Sequence, residues 1–148
     1  MKEPGNAHNR LGTGIAGFDN VLAGGLPQGQ IFLVEGEPGS GKTTLGLQFL
    51  FAGAAQGESG LYVTLAESKH ELEIVANSHS WSLDRITVFE FMPNEGSLER
   101  DDMYTAFHPS EIEFQDAMDT ILSEIEKHKP VRIVIDSLSD LRLLSRDS

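Results

Sequence analysis

Apolar residues in this chain fall into two patterns: short dense runs, and longer stretches where they recur every three or four positions. Residues 30–35, with Ile31, Phe32, Leu33 and Val34 in a row, are of the first kind. So are residues 61–65, 86–91 and 131–135. Each run is rich in β-branched or aromatic side chains and predicts a buried strand. The second pattern predicts helices that bury one face. Residues 43–55 place Leu47, Leu50 and Phe51 on one side; residues 69–78 do so with Leu72, Val75 and Ala76. Residues 111–128 align Phe114, Ala117, Met118, Ile121, Leu122 and Ile125. Ser68 with Glu71, and Ser110 with Glu113, have the spacing of a capping box ahead of the last two. Lys127, His128 and Lys129 suit the negative end of the last helix, and Pro130 stops it. A shorter helix is expected around Phe18, Val21 and Leu22, ended by Gly24 and Gly25 and turned by Pro27. Residues 94–109 show no period and read as a surface loop, and a helical piece is expected near Leu138.

Strands that alternate with helices imply an α/β domain, with a mostly parallel sheet covered on both faces. The length, 148 residues, suits one domain. Residues 1–10 read as a flexible tail and residues 11–148 as the folded body. Hydrophobic residues at 39% and charged residues at 23% fit a folded chain. The absence of cysteine excludes disulfides, thiolate metal sites and a cysteine nucleophile. No apolar run approaches the ~18 residues of a transmembrane helix. The polar start, Met1 to Asn6, lacks an apolar signal core, so a cytoplasmic location is expected. The net charge of -12 disfavours attraction to nucleic acid. It leaves room for a local phosphate pocket built from backbone N–H groups.

Such a pocket is written into the chain. Gly36-Glu37-Pro38-Gly39-Ser40-Gly41-Lys42-Thr43 matches G-x-x-x-x-G-K-[ST] in full, between a predicted strand and a predicted helix. Glycines let the backbone close around phosphate oxygens. The amides of residues 39–43 then point inward, and the helix adds its positive N-terminal end. Lys42 can reach the β- and γ-phosphates, which gives it a catalytic as well as a binding role, and the Thr43 hydroxyl can ligate Mg²⁺. Thr44 completes the nucleotide-contacting set.

Asp136 ends the apolar strand of residues 131–135. Parallel strands share their C-terminal edge, so it lies at the edge of the phosphate loop, where it can hold Mg²⁺. Many strands also end in Asp simply as a turn residue. Glu67 follows the second strand by two residues; spacing alone leaves it either the acceptor of a proton from attacking water or a solvated acid before a helix. Glu35 and Glu37 read as loop-shaping residues, and Ser137 as a γ-phosphate neighbour or a helix cap. His8, His70, His79, His108 and His128 have no metal-ligand spacing, and Trp81 is expected to pack on the helix before it.

Taken together, Leu11-Gly12-Thr13-Gly14-Ile15-Ala16-Gly17-Phe18-Asp19, Gly24-Gly25-Leu26-Pro27-Gln28-Gly29, the phosphate loop, residues 62–67 and residues 134–138 resemble a KaiC-type domain of the RecA/RadA group of ATPases. The resemblance covers about residues 10–144. It implies a RecA-like P-loop fold and Mg²⁺-dependent ATP hydrolysis. It also implies a homo-oligomeric ring, usually a hexamer, with regulatory protein partners and a clock-type role. In KaiC two adjacent glutamates after the second strand serve as catalytic bases; here the first is Ala66 and only Glu67 remains, which the resemblance makes the water activator. KaiC also phosphorylates its own Ser and Thr, but in a second domain with no counterpart here. The resemblance further implies that more strands follow Asp136, one of them between the phosphate-loop strand and the Asp136 strand. The chain is therefore expected to be the N-terminal part of a domain with its C-terminal strands missing. Two other functions are weighed against this one: a nucleotide-dependent interaction module with little turnover, and a RadA-like DNA recombination ATPase.

Overall fold

The computed structural model describes residues 9–91 and 109–139. Of the expected loop at 94–109, residues 94–108 lie outside them, as do His8 and His108, while Pro109 belongs to a helix. The order is β1 (Arg10–Leu11), α1 (Ala16–Val21), β2 (Leu26–Pro27), α2 (Lys42–Ala54), β3 (Gly60–Thr64), α3 (Lys69–Ser78), a 3₁₀ turn (Leu83–Arg85), β4 (Thr87–Glu90), α4 (Pro109–His128) and β5 (Arg132–Asp136). The three longer strands form a parallel sheet ordered β4-β3-β5, while β1 and β2 form a small antiparallel pair. Strands alternate with helices as the sequence pattern predicts, in the α/β, RecA-like arrangement that the resemblance implies.

The alternation of side chains along β3 assigns each helix to a face. Tyr62 points to the side of α2 and α3, where it joins Leu47, Leu50, Phe51, Leu72 and Ala76 in one core cluster. Leu61 and Val63 point the other way and pack with Ala117 and Ile121 of α4. All five residues of β3 are buried, as expected of a central strand covered on both sides. Gly46 lets α2 press close to the sheet: a Cβ there would sit 2.9 Å from Val134 Cγ1.

Local signals place α3 as expected. The Ser68 hydroxyl accepts from the Glu71 N–H at 3.3 Å, and the Glu71 carboxylate accepts from the Ser68 N–H at 2.7 Å, so the capping box is complete. Trp81 packs as expected on the cluster that holds Leu72 and Ala76 of α3, and it reaches α2 as well: its ring lies 5.3 Å from Phe51 and stacks on His79 at 4.7 Å.

Three expectations need correction. Residues 30–35 form no strand: they have no ladder partner among the described residues, and Ile31, Phe32, Leu33 and Val34 are 100%, 46%, 61% and 52% exposed. Apolar side chains and β-propensity do not make a strand without a neighbour to accept its N–H groups. Ser110 and Glu113 do not bracket a helix start, because α4 already begins at Pro109, a residue suited to the first helical position. Leu122, expected on the buried face of α4, is half exposed.

One side chain ties the base of the sheet to the N-terminal loop. Arg132 of β5 is buried; its Nε donates to Glu58 at 2.6 Å, and one terminal nitrogen donates to the carbonyls of Gly12 and Phe49. Its guanidinium also lies 4.6 Å from the centre of the Phe49 ring. The Gly12 turn is itself held by Asp19, whose carboxylate accepts from the Thr13 N–H and hydroxyl, both at 2.7 Å, and from the Gly14 N–H at 3.2 Å. These bonds, that from the Thr13 N–H foremost, pull the Asp19 pKa below its ordinary value.

Candidate functional site

The phosphate loop is exposed throughout residues 36–41 and runs straight into α2. Gly39 and Gly41 have φ of 78° and 90°, a left-handed backbone that side chains with a Cβ rarely adopt. No side chain caps the helix start, and its first turn, which carries Thr43 and Thr44, has no acidic residue. The N–H groups there are thus left for an anion, in the field of a 13-residue helix. Lys42 folds back over the loop, its Nζ donating to Gly36 O at 2.8 Å and Glu37 O at 3.0 Å. The Ser40 N–H donates to Glu37 O at 3.1 Å, so Glu37 shapes the loop through its carbonyl.

The sheet brings the distant acid to this loop. Thr64 of β3 pairs with Asp136 of β5, which sets Asp136 at the C-terminal edge of the central strand. There the Thr43 hydroxyl donates to Asp136 Oδ2 at 2.8 Å across 93 positions of sequence. A hydroxyl and a carboxylate side by side are the hard oxygen donors that Mg²⁺ takes alongside phosphate and water. No cluster of three or more His, Asp or Glu that could hold a metal occurs among the described residues. The Thr43–Asp136 pair fits Mg²⁺ taken up with the phosphates of a nucleotide.

Glu67 stands at the same sheet edge, carried by a turn that Thr64 closes. The Thr64 hydroxyl donates to Glu67 O at 2.6 Å and accepts from the Glu67 N–H at 3.0 Å. Partial desolvation of the Glu67 carboxyl, then the charges of Asp136 and Glu71, push its pKa above the ordinary value. An exposed carboxyl near a second carboxylate, with raised basicity, has the chemistry of a proton acceptor. Ser137, next in the chain after Asp136, is half buried. The described histidines, His70, His79 and His128, are exposed.

Tyr62, in the sequence only one residue of an apolar run, also belongs to this site. It is fully buried on β3, and its hydroxyl donates to the same Asp136 Oδ2 at 2.7 Å. Its signal was a polar tip two residues before Thr64, on the same face of an otherwise apolar strand, and only the β3–β5 register shows what that tip meets. Burial, then the bond to Asp136, raises its pKa far above the ordinary value, so the hydroxyl keeps its proton.

The sequence profile of the family described as an ATPase, KaiC, matches residues 11–148. The circadian clock oscillator protein KaiC of Rippkaea orientalis is 35% identical over 136 residues, covering 92% of this chain and 24% of that protein. Its counterpart in a Nostoc species is 36% identical, covering 91% and 26%. A UPF0273 protein of Saccharolobus solfataricus is 30% identical, covering 90% and 50%. The chain thus spans about a quarter of the length of the KaiC relatives and half that of the UPF0273 relative.

Proposed function

The chain belongs to the KaiC family of ATPases, and from that premise we propose that its site binds ATP with Mg²⁺ and hydrolyses it, as part of a regulatory ring ATPase. The observation that carries the reading is the junction of loop and sheet: an uncapped helix N-terminus behind Lys42, with the Thr43 hydroxyl 2.8 Å from Asp136. In this reading the loop from Gly36 to Gly41 wraps the phosphates, the backbone N–H groups of residues 39–43 donate to them, and Thr44 adds to the first helical turn. Lys42 leaves its loop carbonyls to meet the β- and γ-phosphates. Thr43 and Asp136 would hold the Mg²⁺, which supplies charge neutralisation on the phosphates when bound. Glu67 accepts the proton of the attacking water.

The clock-type role and the hexameric ring belong to this proposal through the names and family of the relatives, whose proteins are longer. Self-phosphorylation is the further activity that the full-length form of such a protein would carry. No helix among the described residues is long and apolar enough to cross a membrane.

Lys42→Ala tests the site. A fluorescent ATP analogue titrated with Mg²⁺ should bind at least about tenfold more weakly, the scale of a lost charge-assisted hydrogen bond. Unchanged affinity would overturn the assignment. Ala66 favours a second reading, nucleotide-dependent interaction with little turnover, because the family's paired glutamate is lacking there. Phosphate release separates the two. In the ATPase reading Glu67→Gln keeps ATP affinity and slows turnover about 10²-fold; in the other the parent chain already turns over at that residual rate.

A further inference from the structure

We propose that Tyr62 is a positioning residue for the cation site, its buried hydroxyl fixing the Asp136 carboxylate from inside the fold. The inference rests on the reading of Thr43 and Asp136 as the Mg²⁺ pair and adds a third residue to it. Asp136 Oδ2 accepts two hydroxyls, from Thr43 at 2.8 Å and from Tyr62 at 2.7 Å. The two donors differ in kind. Thr43 is half buried where the loop meets the helix, and is itself one of the oxygens offered to the cation. Tyr62 sits on the central strand with no exposure, and its ring is packed among Leu47, Leu50 and Leu72.

The ring does not need its hydroxyl to fill that core; phenylalanine would serve. A buried hydroxyl costs free energy unless it is bonded. Here its bond goes to a side-chain carboxylate 74 positions away, not to a nearby backbone carbonyl. The geometry depends on Gly46, where a Cβ would lie 2.9 Å from Val134 Cγ1 of the paired strand, and on the pairing of Tyr62 with Val134 and Thr64 with Asp136. These packed contacts hold the phenol still. A carboxylate bonded to it keeps one orientation whether or not the Thr43 hydroxyl is engaged elsewhere. Groups that orient a metal ligand in this way typically contribute about 10- to 100-fold in metal affinity.

The test is Tyr62→Phe in the full chain, read by Mn²⁺ binding in electron paramagnetic resonance with a non-hydrolysable ATP analogue present, so no turnover is involved. Expected are Mn²⁺ affinity about tenfold weaker, metal-free nucleotide affinity unchanged, and no further weakening when Tyr62→Phe is added to Asp136→Asn. Equal Mn²⁺ affinity in parent and Tyr62→Phe overturns the proposal, as does the same loss in the Asp136→Asn background. A parent chain that binds nucleotide with no dependence on divalent cation overturns the site reading and this inference together. A readout in the unsubstituted protein covers a misfolded variant. The chain has two tyrosines, so 3-fluorotyrosine labelling gives two fluorine resonances, assigned with Tyr104→Phe. The Tyr62 resonance should shift when Mg²⁺ joins the bound nucleotide; a resonance that does not move overturns the proposal.

Discussion

Residues 31–34 and residues 61–64 are both short runs of residues that favour strands, and they end up in opposite surroundings. The second run pairs with β4 on one side and β5 on the other, has helices over both faces, and is buried at every position. The first is at least 46% exposed at every position and joins no strand among the described residues. The difference lies outside the runs themselves. A parallel strand has no stable existence alone, because its N–H and C=O groups must be satisfied by neighbours and its apolar side chains covered by helices. Residues 60–64 have both forms of support, and their register with β5 is what delivers Asp136 to Thr43 and Tyr62. The phosphate loop is therefore joined on one side to a rigid helix and sheet, and on the other to a segment without sheet support.

A charge placed in each run gives the sharpest contrast. Val63→Asp would bury an unpaired carboxylate between β3 and α4, costing about 4 kcal/mol or more, and should leave little folded protein. Val34→Asp should change stability by less than about 0.5 kcal/mol, as for an ordinary surface position, and should improve solubility. Urea melts of both variants decide this. An equal loss in both would show that residues 30–35 are buried in solution.

Arg132 tests how far the supported region extends. Arg132→Ala removes three hydrogen bonds and the Phe49 contact at once. A loss of about 3 kcal/mol is expected, the scale for breaking a buried pair. Hydrogen exchange should then open β5 and the Gly12 turn while leaving the rate in residues 31–34 unaltered. Protection lost only near Glu58 would confine the role of Arg132 to that ion pair.

The smallest effect concerns Glu67. Its pKa is raised in the folded state, so the folded chain holds this proton more tightly than the unfolded chain does. Stability therefore falls as pH rises from the ordinary glutamate pKa through the raised folded value, and Glu67 is a mild destabiliser at neutral pH. Glu67→Gln should melt slightly higher than the parent at pH 7 and at the same temperature in acid below both values. A variant that melts lower at pH 7 would mean that the carboxylate is held by a favourable partner. The effect is small because the residue is exposed, so solvent screens its neighbours.

What could be read from the amino-acid sequence was what depends on neighbours in the chain. The capping box of Ser68 and Glu71, the faces of α2 and α3, and the run from Gly36 to Thr43 are local patterns, set by hydrogen bonds and periodicity within a few residues. The phosphate loop could be named for the same reason, since its chemistry lies in consecutive backbone groups. Asp136 and Glu67 could be named as candidates because parallel strands share an edge, a rule that needs only the order of elements. The tertiary structure decided the rest. Whether residues 30–35 become a strand depends on a partner that no local pattern records. That Asp136 Oδ2 receives both Thr43 and Tyr62 depends on the β3–β5 register and on the close approach of α2 at Gly46. Those are distances between residues 74 and 93 positions apart, and only packing brings them to hydrogen-bonding range.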